Sequence, residues 1–101
     1  MKNKQGITIY EIKTKLKARC PLGDQNYEAK VKIKVLRPAV YPDFLELDAK
    51  LHNLPKDMIV EEMAEAVHET VKESFGEALT NVSISVGQSK HFPVTVRKKD
   101  F

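Results

Sequence analysis

The stretch EAKVKIKV, residues 28 to 35, sets a charged side chain beside an apolar one at every step. Successive side chains of a strand point to opposite faces. Ala29, Val31, Ile33 and Val35 therefore share one face, and Glu28, Lys30, Lys32 and Lys34 share the other. On a helix the same residues would spread around the whole circumference. The stretch reads as a strand buried on one side, and sheets of such strands are antiparallel with one wet face. The segment from Ile7 to Arg19 repeats the pattern, with Tyr10, Ile12, Thr14, Leu16 and Ala18 set against Glu11, Lys13, Lys15, Lys17 and Arg19. A polar loop of about seven residues joins the two strands into a hairpin with both cationic sides on one face.

Downstream, Pro38 and Pro42 interrupt regular pairing and mark a connector. DFLELDAKLHNL, residues 43 to 54, suits a short helix capped by Asp43, although LELDAKL also alternates as a strand would. Pro55 breaks the chain. In KDMIVEEMAEAVHETVKESFG, residues 56 to 76, Ile59, Met63, Ala66, Val67, Thr70, Val71 and Phe75 fall at helical spacing. A helix over about 57–75 follows, with Asp57 as its cap and Gly76 as its end. The tail returns to period two. Leu79, Val82, Ile84 and Val86 form a third strand, GQSK at 87–90 a turn, and Phe92, Val94 and Val96 a fourth. Pro93 inside that run marks an edge or a bulge.

The expectation is one α+β domain over 1–101. It comprises a basic hairpin at 7–37, helices near 43–54 and 57–75, and a C-terminal hairpin at 79–98. Both helices cover one face of a four-stranded antiparallel sheet, and its two open edges would be satisfied by self-association. The other face carries Lys13, Lys15, Lys17, Arg19, Lys30, Lys32, Lys34, Ser83, Ser85, Thr95 and Arg97.

With 42% hydrophobic and 31% charged residues the chain is globular rather than disordered. No apolar run reaches the roughly 20 residues that span a bilayer, and MKNKQ opens no secretory leader. A cytoplasmic protein without a membrane partner is expected. Net charge is only +3, but cations crowd the first 37 residues and the C-terminal stretch, while carboxylates collect between them. An anionic partner, nucleic acid included, fits that asymmetry. Lys15, Lys17, Arg19, Lys30 and Lys32 are the candidates for phosphate contact, and a solvated strand face is the competing reading. The cationic face offers almost no aromatics for base stacking.

Cys20 is the single cysteine, so an internal disulfide is excluded. Its neighbours Lys15, Lys17 and Arg19 would favour the thiolate if close in space, although a small apolar residue at a strand end is the plainer reading. On the long helix Glu65 and His68 have the spacing of a bundle metal pair. No second such helix exists, so a solvated face is expected there and no metal. His52 and His91 lie outside any ligand spacing.

The cysteine loop and the long helix together resemble one family. CPLGDQNYEAKVKIKVLRP, residues 20 to 38, is similar to the segment of QueF-type nitrile reductases that runs from a catalytic cysteine through proline, glycine and glutamine into an alternating strand ending in proline. Cys20, Pro21, Gln25, Ala29, Val31, Ile33 and Pro38 fall at or within a residue of the matching places. MIVEEMAEAV resembles the family's helix start, with Glu61 in place of its glutamate and Val60 where it has histidine. The resemblance covers about residues 15–97 and implies the tunnelling fold, whose subunits carry strand, strand, helix, helix, strand, strand and join edge to edge into barrels.

It also implies a mechanism. Cys20 would add to the nitrile of 7-cyano-7-deazaguanine to give a thioimide, and Glu61 would hold the guanine-like edge, with Gln25 and Glu46 as further substrate contacts. The chemistry suits these residues, because a nitrile carbon takes a soft nucleophile and a carboxylate accepts paired N–H donors. Tyr27 stands where the family has its proton-donating aspartate, leaving Asp24 or Glu28 for that role. The reductase's cofactor signature survives only as ELDAKL, with Asp48 in place of a lysine. Short archaeal relatives lack that signature and act without a cofactor as amidinotransferases on 7-cyano-7-deazaguanine in tRNA, forming archaeosine. That activity is the expected one, with the base or tRNA as partner. The alternatives are an NADPH-dependent nitrile reductase, a pterin enzyme resembling GTP cyclohydrolase, and a non-catalytic purine- or pterin-binding oligomer.

Overall fold

The computed structural model describes residues 6–22, 25–87 and 92–101. In chain order these form β1 (Ile9–Cys20), β2 (Gln25–Leu36), α1 (Phe44–His52), α2 (Val60–Ser74), β3 (Leu79–Val86) and β4 (Val94–Lys99). The strands make one antiparallel sheet in the order β1-β2-β3-β4. The element order expected from the alternation is the one found.

The helices lie over the face formed by Leu16, Ala18, Ala29, Val31, Ile33, Val35, Val82, Ile84 and Val86, all buried. From α2, Met63, Ala64, Val67 and Val71 complete the core, and α1 adds Leu47 and Leu51. Thr80 takes the inward place in β3 that Leu79 was expected to share, and Leu79 is exposed. The strand starts one residue out of phase with that guess, which puts Leu79 on the open face. Phe92 and Pro93 precede β4 rather than belonging to it, and β4 is an edge strand. Beyond Gly87 the expected turn lies outside the described residues.

Helix ends follow local chemistry. Asp43 caps α1, its Oδ1 accepting the Leu45 N–H at 2.9 Å and the Glu46 N–H at 3.4 Å. Asp57 does not cap α2, which begins three residues later. There Glu62 accepts the Ile59 N–H at 3.1 Å, leaving Asp57 free for other work. The C-terminus of α2 closes as a Schellman turn, with Gly76 N–H on the Glu73 carbonyl and Glu77 N–H on the Lys72 carbonyl. Gly76 adopts φ 65°, and a Cβ there would come 3.0 Å from Val40 Cγ2.

His68 corrects the reading of α2 as solvated on that side. It is buried, and its Nε2 lies 3.0 Å from Asp100 Oδ1, close enough for an ion pair though off the line of a hydrogen bond. Asp100 also takes Lys72 Nζ at 2.7 Å and the Thr80 N–H at 3.0 Å. The chain end after β4 is thereby tied to α2. The Lys72 ammonium, helped by Thr80 N–H and His68 and opposed by burial, holds the Asp100 carboxyl down at about 2. A carboxyl depressed from 3.8 in the folded state stabilises above that ordinary value, and the contribution is lost as pH falls toward 2. Acid titration followed by circular dichroism should therefore show Asp100→Asn, less stable at neutral pH, converging with the parent below about pH 3. A constant gap down to pH 2 would remove Asp100 from that role.

Candidate active site at the hairpin tip

β3 pairs with β2 only from Ala29 to Leu36, whereas β1 pairs with it from Gln25 onward. The tip of the first hairpin therefore overhangs the sheet. The strands run to the pair Cys20↔Gln25, so the loop is shorter than the seven or so residues expected. Against the outer edge of this tip lies the connector between the helices. Arg19 N–H donates to the Lys56 carbonyl at 2.8 Å, and Met58 N–H donates to the Arg19 carbonyl at 3.2 Å. These bonds form a parallel bridge between Arg19 and Asp57. The bridge covers the end of a strand whose outer edge is otherwise unpaired among the described residues, and it brings the first turn of α2 beside the tip.

A cleft of about 630 Å³ opens here, lined among others by Lys17, Arg19, Tyr27, Glu28, Lys56 and Asp57. Cys20 lies one residue past the cleft wall, half-buried on the helix side of the sheet. Tyr27, on the same side, is buried and donates its hydroxyl to the Met58 carbonyl at 2.6 Å. Burial pushes the Tyr27 phenol up to about 12, with smaller contributions from Cys20, Glu62 and Glu61. Cys20 on β1 and Glu61 and Glu62 on α2 thus each act on Tyr27 across space. Tyr27 stays neutral through the physiological range, and its proton is engaged by a backbone carbonyl. Tyr27 is a strut that holds the connector.

Glu61 and Cys20, which the resemblance implied as partners, each lie within electrostatic reach of Tyr27. Gln25 is placed by its backbone opposite Cys20, and its side chain and all of Asp24 lie outside the described residues. Glu28 lines the cleft but alternates onto the open face, away from the cysteine side. Asp57 is the carboxylate that sequence reasoning misplaced. Its position before an amphipathic run reads as a cap, and nothing local reveals that a strand edge claims its backbone. Lys56 joins Lys17 and Arg19 at the mouth in the same way. Glu46 does not join the group. It sits in the first turn of α1, 3.7 Å from Lys50, beside Tyr41 at the opposite end of the molecule. Tyr10, whose ring lies 5.4 Å from that of Tyr41, is near the start of β1, while Cys20 is its last residue.

No protein-family model matches the chain, and no curated protein matches it. Among solved structures, the crystal structure of an archaeosine synthase QueF-like protein in its apo form is similar. The two superpose with a TM-score of 0.80 over 94% of this chain and 95% of that one, at 15% sequence identity. The fold is that of a QueF-like protein. Four antiparallel strands with two helices on one face are the QueF-like arrangement expected from the cysteine loop and the helix glutamate. At 15% identity the likeness concerns backbone architecture and leaves the site to be argued from its own residues.

Proposed function

We propose that the chain is a QueF-like amidinotransferase of tRNA modification, converting the nitrile of 7-cyano-7-deazaguanine in tRNA to the formamidine of archaeosine. The observation that supports this reading is that Cys20 from β1 and Glu61 from α2 both lie within electrostatic reach of Tyr27 at the hairpin tip, in a fold shared with an archaeosine synthase QueF-like protein. The Cys20 sulfur adds to the nitrile carbon while its proton passes to the nitrile nitrogen, giving a thioimide. Ammonia then adds to that carbon, the C–S bond breaks, and the sulfur recovers a proton as the amidine leaves. No electrons are gained or lost, so the reaction needs no nicotinamide. Glu61 accepts hydrogen bonds from the amidine-like edge of the base, and Asp57 moves the protons that Tyr27 cannot. Lys17, Arg19 and Lys56 at the mouth meet tRNA phosphates, with Lys15, Lys30 and Lys32 continuing the cationic surface along the sheet.

Intact-protein mass spectrometry with the nitrile base, and with tRNA carrying it, tests this. The expected result is a covalent adduct equal in mass to the added nitrile, discharged by ammonia. Discharge by NADPH instead would identify the reductase, and no adduct on either substrate would end the reading.

Assembly completes the proposal. The outer edges of β1 and β4 are open among the described residues apart from the bridge at Arg19, and Tyr41, Phe44 and Leu45 are exposed near Glu46. Glu46 can reach a substrate held at Cys20 only from a neighbouring subunit. Light scattering is expected to give a multiple of the 11.5 kDa chain mass. A monomer at working concentration would take Glu46 out of the site.

A further inference from the structure

The open face of the sheet carries a second feature, away from the cleft. Its side chains fall in rows across the strands. In one row Lys32 stands opposite Ser83, which stands opposite Arg97, and in the next Lys34, Asn81 and Lys99 follow in the same order. On the β1 side Lys13 lies directly opposite Lys32, and Lys15 opposite Lys30. Like charges in direct register oppose folding, so the sheet holds these cations together at a cost in stability. Among the described residues none of Lys13, Lys30, Lys32, Lys34, Arg97 and Lys99 is paired with a carboxylate.

The rows frame a groove of about 340 Å³ lined by Lys32, Lys34, Ser83, Arg97 and Lys99. Its polar groups divide by what they already hold. The Asn81 amide is consumed by the chain end, donating to the Phe101 carbonyl and accepting the Asp100 and Phe101 N–H groups. Ser85 and Thr95 bond each other at 3.0 Å. The Ser83 hydroxyl has no partner among the described residues, and a cation flanks it on each side at one strand spacing, about 4.8 Å. A hydroxyl between a lysine and an arginine is a donor set for phosphate oxygens. The Lys34 and Lys99 row lies two residues along, about 6.8 Å away, and adds two cations for a second phosphate with no free donor between them, Glu11 standing opposite Lys34 on the β1 side.

We propose that this groove, which shares Lys32 with the cationic surface assigned above to tRNA, is an anion site for at least two linked phosphates outside the Cys20 cleft. A phosphate chain matches two cation-flanked rows in line, whereas a single phosphate uses only one. The face presents no aromatic side chain in these rows, so recognition is of phosphate and not of base. Closing the sheets into a ring with the helices outside would turn the groove to the lumen, which a chain-like anion can still enter. The site does not depend on the cysteine chemistry.

The test is calorimetric titration with tripolyphosphate, repeated with a short oligouridylate as competitor. Tripolyphosphate is expected to bind the parent and Cys20→Ala alike. The double substitution Lys32→Gln with Arg97→Gln should weaken it at least about tenfold, and each lost cation should lower the salt slope for the oligonucleotide by about one. The double variant should melt no lower than the parent, because Lys32 faces Lys13, so lost binding is not lost folding. Competition by oligouridylate assigns the phosphates to a polynucleotide backbone, and its absence assigns them to a free oligophosphate. Orthophosphate binding as tightly at matched ionic strength would overturn the proposal. So would equal weakening by Lys50→Gln, a cation on α1 away from this face, or no binding of tripolyphosphate.

Discussion

Cys20→Ala is expected to abolish covalent capture of the nitrile and to lower amidine formation by on the order of 10³-fold or more. At neutral pH ammonia is mostly ammonium, which has no lone pair to attack a nitrile, and in the proposed mechanism the thioimide would divide that step into two easier ones. Removing the sulfur deletes the intermediate, whereas a variant impaired only in proton transfer still forms it. Asp57→Asn should therefore retain the adduct in mass spectra but release it slowly, separating the two roles. Cys20→Ser should behave nearly as the alanine variant, since a hydroxyl is far less acidic and less nucleophilic than a thiol. An alanine variant within about tenfold of the parent in turnover would sink the assignment of Cys20.

The largest effect on stability is expected at Phe75. It is fully buried at the end of α2, with ring centroids of Tyr10 at 6.1 Å and Phe44 at 6.3 Å. The ring joins the start of β1, the start of α1 and the end of α2, three segments distant in sequence. Phe75→Ala should cost about 3–5 kcal/mol, because the removed ring leaves a cavity bordered by sheet and helices that cannot all collapse into it. For a domain of this size that is a fall of at least about 12 °C in melting temperature. Phe75→Leu, which keeps most of the volume, should lose markedly less. A loss below about 1 kcal/mol for the alanine variant would show that the cluster is not a shared core.

Local chemistry made most of the fold legible. Strict alternation in β1 and β2 leaves no other arrangement that buries Val31, Ile33 and Leu16 while wetting the lysines, so register and face follow together. Asp43 and Gly76 sat at helix ends and act there. The failures cluster where a distant element overrides a local signal. Asp57 has the composition of a cap, but its backbone completes the edge of β1. His68 lies in a charged run that reads as solvated, but the chain end folds back and buries it against Asp100. Tyr27 reads as a gap in a catalytic pattern, and it is a buried hydroxyl serving the Met58 carbonyl.

By itself the sequence determined the pleat, the two helices and the lysine face, because period, capping and charge alternation act between residues a few places apart. Tertiary structure alone decided what meets at the tip of the first hairpin. The connector carrying Asp57 bonds to β1 at Arg19, and the first turn of α2 comes beside Tyr27, because β1 and β2 outrun β3 and leave an exposed edge there. That outcome depends on unmatched strand lengths and backbone hydrogen bonds, which no side-chain pattern encodes.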